Sequence, residues 1–196
     1  SHCSNWSSDG SSAGWITFTP GSFDGDAPWG TYSAQRIIYW QPALGLLSEQ
    51  ETAFDYVILV LGEPLGNTIG YPGYRTYDDD WNDGRFWQII GYPGELASGQ
   101  RPGFQGDASI TSVQNHNTSG QTGAVLGHFN DITPGQSGGP CWGWWDGEPW
   151  PRVVGVVSTI GSTAVQAPHG STNGDNEFGG GPARSSLISW ARSTYP

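Results

Sequence analysis

A chain of 196 residues with 18 acidic side chains against 7 basic ones carries a formal net charge of −11. Nucleic-acid binding needs a basic footprint, so that partner is excluded. No apolar run approaches the ~18 residues of a membrane-spanning helix, and no membrane partner is expected.

Only 13% of the residues are charged, while 31 Gly, 14 Pro and 11 Trp supply turns and bulky core material. That balance predicts an all-β protein of short strands, long enough for one large β domain or two small ones. An acidic surface without lysine fits a secreted protein. The chain has no methionine, so it reads as the remainder of a longer product whose signal peptide lay upstream. Cys3 and Cys141 are its two cysteines, enough for one disulfide in an exported protein.

In chain order, Trp15–Thr19 alternates as a half-buried strand closed by Pro20-Gly21, and Gln35–Trp40 forms the next. Thr52–Leu61 is the most apolar run, rich in β-branched residues, and predicts a buried strand. Asp55 interrupts it: a carboxylate entering a core is costly unless paired or hydrogen-bonded, and the alternative is an Asp at the strand mouth facing water. Residues 62–84 are turn-rich and connect two halves, residues 1–70 and 71–196. Within them, Asp78-Asp-Asp-Trp-Asn-Asp-Gly84 fails the EF-hand pattern: its glycine comes one place late and no Glu closes the loop. It reads as a solvated acidic loop.

Strands are predicted at Phe86–Ile90, Ala108–Val113, Gly123–His128 and Arg152–Ser158. The one helix is residues 185–193, packing through Leu187, Ile188 and Trp190. Neither C-x-x-C spacing nor a phosphate-cradling glycine motif occurs, so no metal and no cofactor is expected.

The stretch with chemical content is Asp131-Ile-Thr-Pro-Gly-Gln-Ser-Gly-Gly-Pro140. Glycines at 135 and 138 allow a tight turn that exposes the Ser137 hydroxyl. The N–H groups of Gly135 and Ser137 can converge on one point as an oxyanion hole. A glycine-rich chain also yields G-x-S-G by chance, so the motif requires a base and a carboxylate elsewhere.

His2-Cys3, Phe54-Asp-Tyr-Val-Ile-Leu59 and Gly135-Gln-Ser-Gly-Gly-Pro140 together resemble the His, Asp and Ser motifs of the chymotrypsin-fold serine proteases, in the same chain order. Ile90-Gly-Tyr-Pro-Gly94 and Asn176-Glu-Phe178 are similar to segments of the glutamyl-endopeptidase-like branch. The resemblance implies a double six-stranded β-barrel with a C-terminal helix, His2 and Asp55 in the first barrel and Ser137 in the second. It implies endopeptidase activity on a protein or peptide substrate through an acyl-enzyme on Ser137. His2 would be general base and acid, and Asp55 would fix its tautomer. The competing bases read otherwise: His128 as structural on a strand, His116 and His169 as solvated in polar loops.

Several departures accompany the resemblance. The family's first strands precede His2, so the first barrel is expected to be incomplete in this chain or completed by a separate N-terminal polypeptide. The usual partner of Cys3 lies upstream as well, which leaves a bridge to Cys141 as the lesser alternative. Gln136 replaces the Asp that receives a new N-terminus in trypsin-like zymogens. Val157 stands where glutamate-specific relatives use a histidine, which argues against Glu specificity. Asp131 stands where trypsin-like members read Arg or Lys, although glutamyl-type sequences carry an Asp there without that preference. Asp131, Val157 and Ser158 are thus the candidate substrate contacts. Two other readings stay open: a non-catalytic homologue acting as a binding module, and a carbohydrate-binding β-sandwich stacking sugars on Trp142, Trp144, Trp145 and Trp150.

Overall fold

The computed structural model describes residues 2, 16–40, 47–160 and 176–195. Among them the elements run β1 (Thr17–Phe18), β2 (Tyr32–Ile38), α1 (Glu49–Thr52), β3 (Ile58–Leu61), α2 (Gly66–Ile69), β4 (Gly73–Tyr74), β5 (Trp87–Gly91), β6 (Gly103–Ala108), β7 (Ser112–Thr118), β8 (Gln121–His128), β9 (Pro140–Gly143), β10 (Arg152–Thr159), β11 (Asn176–Gly180) and α3 (Pro182–Thr194). Strands β1–β2–β3 make a small antiparallel sheet. The larger sheet has the order β6–β5–β9–β10–β11–β8–β7, with β4 lying parallel to β10. The body is mainly β, as the composition predicts, with a C-terminal helix where the 185–193 stretch predicts one.

The period-2 rule of strands explains how one sheet serves two cores. On β8, Ala124 and Leu126 enter a cluster with Trp87, Ile89, Val154, Val157 and Phe178. Val125, between them, joins Ala53, Phe54, Tyr56, Ala183 and Leu187 on the opposite face. Helix α3 opens with Pro182 in its first turn, where the missing N–H costs nothing. Its buried stripe is Ala183, Leu187 and Ala191 together with Arg184, spaced as one helical face. The expected stripe is corrected accordingly: Leu187 packs, but Trp190 is exposed. The buried Arg184 guanidinium donates to the carbonyls of Arg75 and Val153, each at 2.8 Å. Burial lowers its pKa to about 10.

Three sequence expectations need revision. The apolar run Thr52–Leu61 is not one strand, because Thr52 ends the short helix α1 and pairing begins only at Ile58. A capping box forms α1: the Ser48 side chain accepts from the Glu51 N–H while the Glu51 carboxylate accepts from the Ser48 N–H, satisfying donors left over at a helix start. Ala108–Val113 is likewise split, since β6 ends at Ala108 and β7 begins at Ser112. His116 lies within β7, not in a loop.

The short helix docks closely on the large sheet. A Cβ at Gly179 of β11 would come within 2.7 Å of the Thr52 carbonyl, and one at Gly123 of β8 within 2.5 Å of the Ala53 carbonyl. Only glycine permits that approach, and it seats the residue-55 turn against β11 and against β8, the strand that leads into Ser137's own loop.

Candidate active site

Asp55 follows α1 in a tight turn, its N–H bonded to the Thr52 carbonyl at 3.1 Å. It is 1% exposed, so its charge must be matched by donors. Among the described residues, three converge on it. The His2 backbone N–H donates to Oδ1 at 2.8 Å, His2 Nδ1 makes a short contact with Oδ2, and the Ser158 hydroxyl donates to Oδ2 at 2.6 Å. Burial alone would raise the Asp55 pKa, but the hydrogen bonds from His2 and Ser158 help to hold the carboxyl well below the usual carboxylate range. An ionised carboxylate only accepts, which assigns the Nδ1 proton to His2. Nε2 is then an acceptor, and it faces Ser137 Oγ at 3.1 Å.

Ser137 sits in the loop between β8 and β9. Gln136 closes the preceding turn, its Oε1 accepting from the Thr133 N–H at 2.6 Å. Beyond the serine, Gly138 N–H bonds to the Val157 carbonyl at 2.9 Å and Val157 N–H to the Gly139 carbonyl at 2.8 Å, clamping the turn to β10. Gly135 has φ 103° and Gly138 φ 87°, both left-handed. A Cβ on Gly135 would also lie 2.6 Å from the Tyr92 carbonyl oxygen. Among the described residues, the N–H groups of Gly135 and Ser137 have no backbone acceptor, leaving two donors available for a ligand.

The turn has a backing. Gly94 N–H donates to the Pro134 carbonyl at 2.8 Å. The segment carrying Gly94 is tied in turn to residues 22–24: Tyr92 OH bonds the Ser22 carbonyl at 2.8 Å, Asp24 N–H bonds the Gln100 carbonyl at 3.0 Å, and Arg101 makes a two-pronged ion pair with Asp24 at 2.6–2.7 Å.

His2, Asp55 and Ser137 therefore come together, with Ser158 bonded to Asp55 and the Val157 backbone clamping the serine turn. Val157 is buried in the larger core cluster, and Asp131 is exposed. Ser158 spends its hydroxyl on Asp55, a contact that sequence reading did not anticipate. A hydroxyl directly after the Val156-Val157 pair on a strand carried no distinctive signal. His128 is fully buried, its Nδ1 accepting from Asn130 N–H at 3.2 Å and its ring stacked 3.9 Å from Phe178. Burial pushes its pKa down to about 3, so it is a neutral structural residue. His116 faces Glu49 at 3.9 Å. Cys141 is a free, buried thiol whose pKa is pushed up by burial, while Cys3 and His169 lie outside the described residues. Among the described residues, Asp78, Asp79 and Asp80 are the one group of three possible metal ligands, all exposed.

No protein-family model matches the chain. It is 34% identical over 139 residues to the glutamyl endopeptidase of Bacillus licheniformis, a match covering 71% of this chain and 39% of the relative. It is 33% identical over 92 residues to the extracellular metalloprotease of Bacillus subtilis, covering 47% of this chain and 28% of that protein. The chain thus spans less than half the length of these curated relatives. Among solved structures it is similar to the protease Anisep from Arthrobacter nicotinovorans, with TM-score 0.58, 19% identity and coverage of 90% of this chain and 74% of that one. The thermostable serine protease AL20 from an extremophilic microorganism gives TM-score 0.60, 17% identity and coverage of 91% and 75%. Both structures share the fold expected from the sequence motifs. The chain is a chymotrypsin-like serine-protease homologue, glutamyl-endopeptidase-like in sequence.

Proposed function

We propose that the chain is a serine endopeptidase acting through an acyl-enzyme on Ser137. The observation that carries this reading is the His2 imidazole, which touches a buried carboxylate with one nitrogen and the Ser137 hydroxyl with the other. Ser137 Oγ attacks the substrate carbonyl while His2 Nε2 takes its proton. His2 then passes that proton to the leaving amine, and water repeats the sequence in reverse to release the acid. Asp55 holds the ring in the required tautomer and stabilises the imidazolium. The Gly135 and Ser137 N–H groups meet the oxyanion, gaining most as charge develops.

In this reading residues 1–70 supply His2 and Asp55, and residues 71–196 supply Ser137. A protein or peptide substrate outside the cell fits the acidic composition and the extracellular name of one relative. Glutamate preference is not part of the proposal, since Val157 replaces the expected histidine.

A fluorophosphonate probe tests the reading: it should label the folded protein on Ser137 and leave the Ser137→Ala variant unlabelled. Folded protein that stays unlabelled would favour the non-catalytic binding module instead.

A further inference from the structure

Beyond β9, at the opposite end of that strand from the serine turn, lies a cavity of about 240 Å³ lined by Trp81, Phe86, Trp87, Trp144, Trp145 and Asp146. A four-residue strand spans roughly 13 Å, so this cavity is separate from the Ser137 chemistry. Trp87 is wholly buried and forms its base, whereas Phe86 and Trp144 are 50% and 54% exposed at its mouth.

The core does not account for those two rings, and their exposure beside a cavity asks for an occupant. A flat sugar-stacking platform would need coplanar rings. Here Trp145 meets Trp81 at 64° and Trp87 at 63°, Trp81 meets Trp87 at 50°, and Phe86 meets Trp87 at 51°. Rings inclined in this way pack against one another and offer no single flat face, presenting π-density from several directions.

The fold already uses two of these rings to hold a cation. The Arg75 guanidinium carbon lies 4.8 Å from the Trp145 centroid and 6.0 Å from that of Trp81, yet Arg75 does not line the cavity. Among the described residues, the one charged side chain that does is Asp146, a carboxylate. A primary ammonium needs three acceptors, more than one carboxylate among indole rings provides. A fully methylated ammonium needs none and gains from aromatic faces.

We propose that this cavity binds a quaternary ammonium group, held by the Trp81, Trp144 and Trp145 rings and balanced by Asp146. The proposal does not rest on proteolysis, and its test reads binding alone. Titration of the intact chain with choline, Nε-trimethyl-lysine and the neutral choline isostere 3,3-dimethyl-1-butanol, followed by tryptophan fluorescence and calorimetry, discriminates the chemistry. Both charged compounds should saturate, with the isostere at least roughly tenfold weaker. Tighter choline binding would identify a head group as the source, and tighter trimethyl-lysine a methylated side chain. Trp144→Ala should weaken binding by about fivefold, and Asp146→Asn should weaken it and flatten its salt dependence. Because both side chains are exposed, the variants should unfold with the parent. Equal binding of the isostere, saturable binding of a hexose in preference, or no saturation by either cation would overturn the proposal.

Discussion

Ser158 shares the Asp55 carboxylate with His2, and its 2.6 Å hydrogen bond is made to a charge that cannot reach water. Hydrogen bonds to charged groups contribute about 1.5–3 kcal/mol, so Ser158→Ala should lower kcat by roughly ten- to a hundredfold with KM little changed. Ser158→Thr, which keeps a hydroxyl, should recover much of the loss. A variant with altered KM and unchanged kcat would instead make Ser158 the substrate contact that its position in the sequence suggested. At this scale the sequence was informative where chemistry constrains residue type. His2, Asp55 and Ser137 were legible because each sits in a motif and their order is that of a known family. Ser158 was not, because a serine on a strand has no pattern that reveals what its hydroxyl touches.

Helix α1 spans four residues, too short to be stable alone. The Ser48–Glu51 capping box and the contact with β8 and β11 hold it, and Asp55 follows directly. Ser48→Ala should cost about 1 kcal/mol of stability, measurable by urea unfolding. It should also slow hydrolysis, because the residue-55 turn hangs from the end of the helix. Full retention of both would mean that packing alone positions the turn. The box Ser-x-x-Glu was present in the sequence at 48–51, but the apolar run after it dominated the reading as a strand. Strands β9 and β11 were missed for a different reason. Pro140–Gly143 and Asn176–Gly180 carry the prolines and glycines that signal turns. In the fold, Gly179 and its neighbours are strand residues because other backbone needs their space.

For the molecule as a whole, His128 links folding to acidity. Its pKa is about 3 when folded and near 6.5 in an unfolded chain. Between those values the unfolded state binds more protons, so stability falls as pH drops through the window, by up to about 1.4 kcal/mol per unit, and levels off below it. Unfolding midpoints measured between pH 7 and 4 should trace that slope, and His128→Gln should reduce it. An unchanged slope in the variant would assign the acid sensitivity to other groups.

The mainly β class followed from composition and turn spacing, and the C-terminal helix from the apolar pattern of residues 185–193. The order of strands did not, because pairing β10 with both β9 and β11 is a long-range choice that local patterns do not encode.

The tie from Arg101 and Tyr92 to residues 22–24 reaches further than its surface position suggests. Residues 91–94 brace the peptide groups that would greet an oxyanion, and that brace is itself anchored to a stretch from the first part of the chain. Proteolytic nicking between Pro20 and Thr31 would therefore loosen the anion-receiving amides from behind, with every member of the His2–Asp55–Ser137 trio chemically intact. A preparation could thus keep its reactive serine and still turn over poorly, for want of a distant anchor.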